Sequence, residues 1–466
     1  MFYAFYLFKI IGGFIMDKDY ALELLGGKKF FQLKSELQEM NPMDIAVLVE
    51  EMYGSDEFDE KKLTMLYRIL PKELAAEAFT YMDSDKQMIL INAFSDKELR
   101  YVIDELYLDD TVDIIEEMPA NVVSRILRNT DPETRKQINQ LLNYPKDSAG
   151  SVMTTEFVYL HADITVREAF EQIRKIGLVK ETVYTCYVIS SQRQLVGLVT
   201  VLDMLVADEE TLIEEIMETN VISVNTHDDQ EQVARTMSKY DLAAIPVVDN
   251  EERIVGIVTF DDAMDVLQQE NTEDFAKMAA VVPAEDSYFK TTVWAHAKSR
   301  IPWLLILMLS ATLTGWISSR FEAQIAVVPM LVSFMPMIMG TGGNCGSQSS
   351  TLIIRGMAVE EIKLRDFFNV VFKEIRVAVI CAVTLAVVNG FRVYFVYGRN
   401  LELALVIAFS LIGTVVVAKL VGAMLPMGAK ALRLDPAIMA TPLITTVVDS
   451  CSLLIYFTFA TSILKI

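Results

Sequence analysis

Histidine and cysteine are scarce in this chain of 466 residues, at three and four. Cys186, Cys345, Cys381 and Cys451 are scattered without metal-ligand spacing, and His161, His227 and His296 form no cluster. Neither a disulfide framework nor a zinc centre fits that usage. Basic residues are short over the first three hundred positions. Of 41 Lys+Arg and 63 Asp+Glu, 12 and 8 lie from Ile301 onward, which leaves 29 against 55 before it, a net of -26. Such an excess of acid argues against nucleic acid as a partner and against docking on anionic lipid, but it accommodates divalent cations. No glycine-rich phosphate loop is present. The apolar start Met1–Ile15, with Lys9 its only charge, is short for a membrane span and is followed by no small-residue cleavage site. It fits an anchor, a signal-like segment or an upstream start, and residues 1–27 stay unassigned.

What is present falls into three parts. From Lys28 to Tyr144 short amphipathic segments recur, among them MDIAVLVEEM, KELAAEAFTYM, KELRYVIDELY and NVVSRILRN. Most open just after Pro or Asp, which suit a helix start. Repeated short helices of this kind suggest a superhelical scaffold over residues 28–149. Residues 150–269 contain an internal repeat: LVGLVTVLDML at Leu195 and IVGIVTFDDAM at Ile254, 59 residues later. Each half runs Met, strand, amphipathic helix, apolar strand, turn, then a strand with Gly and a following Asp. The pair resembles tandem CBS domains, over 150–212 and 213–269. That resemblance implies an α/β pair with a cleft for adenine nucleotides, and places Asp203 and Asp262 where an Asp meets the ribose. A pair that only dimerises or transmits force is an equal alternative.

After a mixed-charge connector, residues 270–299, come five apolar runs: about Ile301–Ser319, Ile325–Ile354, Val370–Phe395, Leu403–Met427 and Ile438–Leu464. Each is long enough for a membrane helix of about 20 residues. Lysine and arginine cluster at Arg355–Arg376, so this connection is expected to be cytoplasmic, with the N-terminal part cytoplasmic and the C-terminus outside. Two runs are polar. The second holds GTGGNCGSQSSTLIIR, a poor lipid-facing helix unless it packs tightly or lines a cavity. In the fifth, Thr441, Thr445, Asp449 and Ser452 share a helical face, with an apolar face opposite for lipid. Asp449 reads as the only acid deep in a span, and a carboxylate at that depth needs a partner, water or a cation. One buried acid bonded to a neighbouring helix is the simpler reading; a cation pathway is the sharper one.

The order of these parts resembles the MgtE family of magnesium channels, from about Lys28 to the end. The residues that carry the resemblance are DSAGSVMTTE at Asp147, GTGGNCGSQSSTLIIRGMA in the second run and DPAIMATPLITTVVDS in the fifth. It implies a multidomain fold: an acidic α-helical domain, a CBS pair, a connector or plug helix, and a five-helix membrane domain over 300–466. It implies a homodimer in the cell membrane with the pore between subunits, and Mg2+ as the ion. Asp449 matches the pore carboxylate; Gly343, Asn344, Thr441 and Thr445 fall where the family lines its pore, Thr441 standing where some members have Asn. Regulatory Mg2+ falls to Asp109, Asp113, Gly150, Asp262, Asp265, Glu270, Glu273 and Asp274, although charge runs of this kind are more often solvated faces. ATP would meet Thr200 and Asp203, with Leu202 where some members carry Arg, which weakens phosphate contact. A broader Co2+ or Mn2+ transporter, an ion-coupled carrier, an intramembrane enzyme and a transport-free sensor are the rival readings. The enzyme would want a second catalytic group beside Asp449, and none is visible.

Overall fold

The structure, a computed structural model, describes residues 16–53, 55, 58–177, 180–283, 288, 291–439 and 441–465. The apolar start Met1–Ile15 lies outside them. Two compact units meet in the chain at Leu267/Gln268.

The first unit opens with short helices: α1 (Lys18–Gly26), α2 (Phe30–Leu37), α3 (Pro42–Tyr53), α4 (Glu60–Ile69), α5 (Lys72–Thr80), α6 (Ser84–Ala93), α7 (Asp96–Glu105), α8 (Leu108–Glu117), α9 (Ala120–Asn129) and α10 (Pro132–Leu141). Their starts are written in the sequence. Asp17, Asp59 and Asp131 accept backbone N–H groups at the N-caps of α1, α4 and α10. Ser95 and Glu98 form a capping box on α7. Each helix is too short to be stable alone; Leu33, Ile45, Leu63, Leu66, Phe79 and Leu90 join one core instead.

Two three-stranded sheets follow. β1 (Phe157–His161) runs parallel to β2 (Thr182–Ile189), which pairs antiparallel with β3 (Leu195–Thr200); α11 (Val166–Ile176) is the crossover. After α12 (Val201–Val206) and α13 (Ile213–Ile216), the pattern repeats: β4 (Val224–Asn225), α14 (Gln230–Tyr240), β5 (Ala244–Val248) and β6 (Ile254–Thr259). The repeated Gly and Met serve a reciprocal contact. A Cβ at Gly256 would come within 2.6 Å of the Met153 sulfur, and one at Gly197 within 2.8 Å of the Met217 sulfur. The methionine of the first half thus packs on the last strand of the second, and vice versa. α15 (Phe260–Met278) continues without a break from β6 through the unit boundary.

The second unit is helical: α16 (Val293–Arg320), α17 (Glu322–Val327), α18 (Met335–Ala358), α19 (Phe367–Val396), α20 (Leu401–Ala431) and α21 (Thr441–Leu464). α20 is central and packs on α18, α19 and α21. Val293–Arg320, Leu401–Ala431 and Pro436–Leu464 are long and apolar enough to cross a membrane. The other two expected spans differ for physical reasons. The second does not start at Ile325: the chain kinks at Val328, passes Pro329–Phe334 as a 3-10 turn, and enters α18 only at Met335. α18 is long enough but rich in Gly and Ser. α19, at 30 residues, carries Lys373, Glu374 and Arg376 near its start.

α18 and α20 touch through backbone. A Cβ on Gly422 would collide with the Gly346 carbonyl oxygen. We expect Gly422→Ala to force these helices apart and to lower stability by about 1–3 kcal/mol, read as a drop in the unfolding temperature of the detergent-purified protein. An unchanged melt would show that the contact gives way freely.

Candidate cation sites

In the second unit the polar stretches of α18 and α21 lie together. Gly343 is buried, and a Cβ there would stand 3.1 Å from Thr445 Cγ2. Gly342 is tighter, with Ser452 Oγ 2.7 Å from its virtual Cβ. Glycine at both positions is therefore what lets α21 approach. Asn344, next along α18, is exposed, as are Gln348 and Thr351, one and two turns on. Asp449 is half-buried, between the buried Val448 and Ser450. Ser450 meets Thr314 of α16 at 3.3 Å. The side chain of Thr441 lies outside the described residues.

The expected faces of α21 need correction. Ser452 is fully buried against Gly342 instead of sharing an open face with Asp449. The apolar face does not simply meet lipid: Ile444, Val448, Leu453, Tyr456 and Phe457 are core residues. Tyr456 also donates to the Leu331 carbonyl at 2.9 Å. A second correction concerns charge. Asp449 is not the only ionisable group inside these helices, because Glu374 and Lys419 are both buried there.

In the first unit, carboxylates from distant positions converge. Asp109, Glu156 and Glu181 bring carboxylate oxygens within 4.8 Å of one another. Asp109 and Asp110 come from the start of α8, Glu156 from the turn before β1, Glu181 from the turn before β2. The backbone N–H of Leu108 holds Glu156 at 3.2 Å, and Thr259 Oγ1 donates to Asp262 at 2.5 Å. Burial raises every one of these acids, and neighbouring carboxylates raise all but Glu156 further. Asp109 rises to about 7, chiefly with Asp110 as its charged neighbour. Asp113 and Asp262 rise to about 7, with Asp109 the leading neighbour of each. Asp110 reaches about 6 and Glu181 about 8. Glu156 is raised by burial, with the Leu108 N–H and then Lys180 pulling the other way.

The structure thus groups Asp109, Asp113 and Asp262 from the expected regulatory set. Asp265 is exposed, its carboxyl raised by partial burial and then by Asp261. Gly150 is explained by packing, since a Cβ there would meet the Tyr144 ring at 2.6 Å. Glu270, Glu273 and Asp274 belong to the second unit. There Glu273 pairs with Lys277 at 2.9 Å, and Lys277 with Asp435 at 2.7 Å. Sequence reasoning missed Asp110, Glu156 and Glu181. Only Asp110 was within reach, beside Asp109; the other two lie in turns whose meeting depends on the fold. Thr200 and Asp203 form a capping box on α12, with Thr200 Oγ1 donating to Asp203 at 2.5 Å. The Asp203 carboxylate is exposed, and so is Leu202 beside it.

A soluble half with converging carboxylates, a CBS-type pair, and a helical half built to cross a membrane around a polar seam define a multi-pass membrane protein equipped for cations. Comparisons with known proteins narrow this. The MgtE pattern, described as a divalent cation transporter, matches residues 335–459; the MgtE intracellular N domain matches 40–147, and CBS domains match 149–210 and 213–269. The chain is 37% identical over 437 residues to the magnesium transporter MgtE of Thermus thermophilus, covering 93% of this chain and 95% of that protein. It is 33% identical over 443 residues to the magnesium transporter MgtE of Bacillus subtilis, covering 94% and 95%. The crystal structure of the cytosolic domain of the Mg2+ channel MgtE in complex with ATP matches at a TM-score of 0.50 and 34% identity, over 54% of this chain and all of that one. The chain belongs to the MgtE family.

Proposed function

We propose that this protein conducts Mg2+ into the cell as a homodimer, and that cytosolic Mg2+ closes it. The observation that carries the reading is Asp449, a half-buried carboxylate on a membrane-length helix packed against Gly342, Gly343 and Gly346, beside the exposed Asn344. Mg2+ sheds water reluctantly and is usually held by one or two carboxylates with several waters retained. One Asp449 from each subunit would supply that site, with Asn344 and Thr445 placed around the hydrated ion. Among the described residues the stripe Asn344, Gln348 and Thr351 is exposed on a single chain, which suits a pathway between two copies. The relatives named above are magnesium transporters, which favours Mg2+ over the Co2+ or Mn2+ alternative. No enzymatic step is part of the reading.

For regulation, Mg2+ bridges Asp109, Asp113 and Asp262, with Glu156 and Glu181 added by the structure. Gly150, Asp265, Glu270, Glu273 and Asp274 complete the set that the family resemblance suggests. Ion binding favours the state in which these acids are close; loss of the ion lets them repel, and the equilibrium shifts toward the open pore. ATP is proposed as a modulator at Thr200 and Asp203, where the ribose would compete with the α12 cap for the same carboxylate. The membrane orientation has the soluble half in the cytoplasm and the C-terminus outside.

Proteoliposomes test all of this together. Mg2+ entry is expected when the lumen facing the soluble half lacks divalent ions, and about tenfold less when it holds millimolar Mg2+. Adding ATP to that side should shift the Mg2+ concentration for closure. Absence of Mg2+ entry under every condition would remove the transport reading, and equal entry with and without luminal Mg2+ would remove the feedback.

A further inference from the structure

Three helices of the second unit meet at a buried polar bridge. Ser349 on α18, Glu374 on α19 and Lys419 on α20 are 1%, 8% and 5% exposed. Ser349 Oγ donates to Glu374 Oε2 at 2.6 Å and accepts from Lys419 Nζ at 3.2 Å. One hydroxyl is therefore bracketed by a carboxylate and an ammonium. Ionisable groups inside membrane helices are expensive even when compensated, so their presence calls for a use. Packing does not need them. Ala378, Ala382 and Ala386 already give α19 a buried small-residue stripe, and Ala418, Gly422 and Ala423 give α20 another.

α18 is the helix that needs help. Its middle meets α20 through the Gly346 backbone against Gly422 and α21 through Gly342 and Gly343, with Cys345 the buried apolar side chain there, while Ile338, Ile353 and Met357 pack toward its two ends. Glycine contacts let helices approach closely but interdigitate no side chains, so they resist separation more than rotation. Ser349 supplies directional bonds one turn beyond Gly346. Its neighbour Ser350 donates to the Met439 carbonyl at 3.3 Å, on the segment that leads into α21. Together these bonds fix α18 about its own axis. The leverage is large: at a side-chain radius of about 5 Å, a rotation of about 20° moves Asn344 by about 2 Å, the length of a Mg–O bond.

We infer that Ser349, Glu374 and Lys419 are positioning residues that set the rotation of α18 and, through it, which ion the pathway accepts. The inference rests on the proposed pathway along α18 and α21. It is tested with full-length protein in proteoliposomes by measuring Mg2+ and Ca2+ entry for S349A, S349T, E374Q, K419M and E374Q/K419M, alongside thermal unfolding. S349A is expected to lower the Mg2+/Ca2+ flux ratio by about tenfold, the equivalent of one lost hydrogen bond, and S349T, which keeps the hydroxyl, to restore it. The double neutral variant should lie nearer the parent than either single variant, because neither charge is left alone. Parent-like ion ratios in folded S349A and E374Q would overturn the inference. So would losses that follow only the folded fraction and are not restored by S349T. Asp449→Asn separates the two levels: if it abolishes flux while S349A keeps the parent ratio, the pathway stands and the positioning role falls.

Discussion

Replacing Asp449 by Asn is expected to leave a protein that folds and assembles but carries almost no Mg2+. Asparagine keeps the size and hydrogen-bonding shape of the side chain, so the neighbours need not move: Val448 stays in the core, and Ser450 keeps its contact with Thr314. Only the charge goes. A hydrated Mg2+ at membrane depth is attracted by formal charge and by strong acceptors for its first-shell waters, and a neutral amide supplies neither well. Losing about 3 kcal/mol or more of ion stabilisation at the site corresponds to a reduction of roughly 100-fold. The measurement is radiotracer-free Mg2+ entry into dye-loaded proteoliposomes, with size-exclusion and melting profiles to establish that assembly is intact. Asp435→Asn serves as the contrast. That carboxylate precedes the same helix but is paired with Lys277, and its loss should alter regulation while leaving a conducting protein. Full Mg2+-selective conduction in Asp449→Asn would remove this residue from the pathway.

How far the sequence could be read depended on how local each signal was. The short helices were legible because their caps sit beside them: Asp59, Ser95 with Glu98, and Asp131 before Pro132. The CBS-type repeat was legible because Gly197 and Gly256 recur in phase. What it could not show is that each glycine receives the methionine of the other half. The second span was set ten residues early, since hydropathy runs smoothly across Ile325–Phe334 while Pro329 and the 3-10 turn interrupt the helix. Glu374 and Lys419 were passed over for a related reason. Each sits in an apolar run near other charges or small residues, and only the meeting of three helices shows them buried at Ser349. Glu156 and Glu181 were out of reach because no periodicity links a turn before β1 to a turn before β2; the sheet does, by pairing those strands in parallel.

The soluble carboxylate group should answer pH and Mg2+ in opposite senses. In the folded state Asp109, Asp113 and Asp262 titrate at about 7 and Glu181 at about 8, raised by burial and by one another. In the unfolded chain such groups titrate near 4. Between these values the folded state holds protons that the unfolded state has released. Stability without divalent ions is therefore greatest below about pH 4 as far as these groups decide it, and is lost as pH rises through about 7 to 8. Mg2+ takes the carboxylates ionised, so its binding expels the same protons, and its affinity must rise with pH over that window. Each displaced proton contributes up to about tenfold in affinity per pH unit below the folded pKa. We expect Mg2+ to bind the full-length protein at least about tenfold more tightly at pH 8 than at pH 6. Mg2+ should also raise the unfolding temperature most at the alkaline end. Calorimetry in two buffers of different ionisation heat counts the protons directly. Asp109→Asn with Asp262→Asn should reduce the proton count, weaken Mg2+ binding and flatten the loss of stability at alkaline pH, because two of the repelling charges are gone. Asparagine can still accept the Asp110 backbone N–H and the Thr259 hydroxyl that now hold these side chains, so the fold is not the variable. Mg2+ binding that releases no protons and is the same in the double variant would make these acids an ordinary solvated surface.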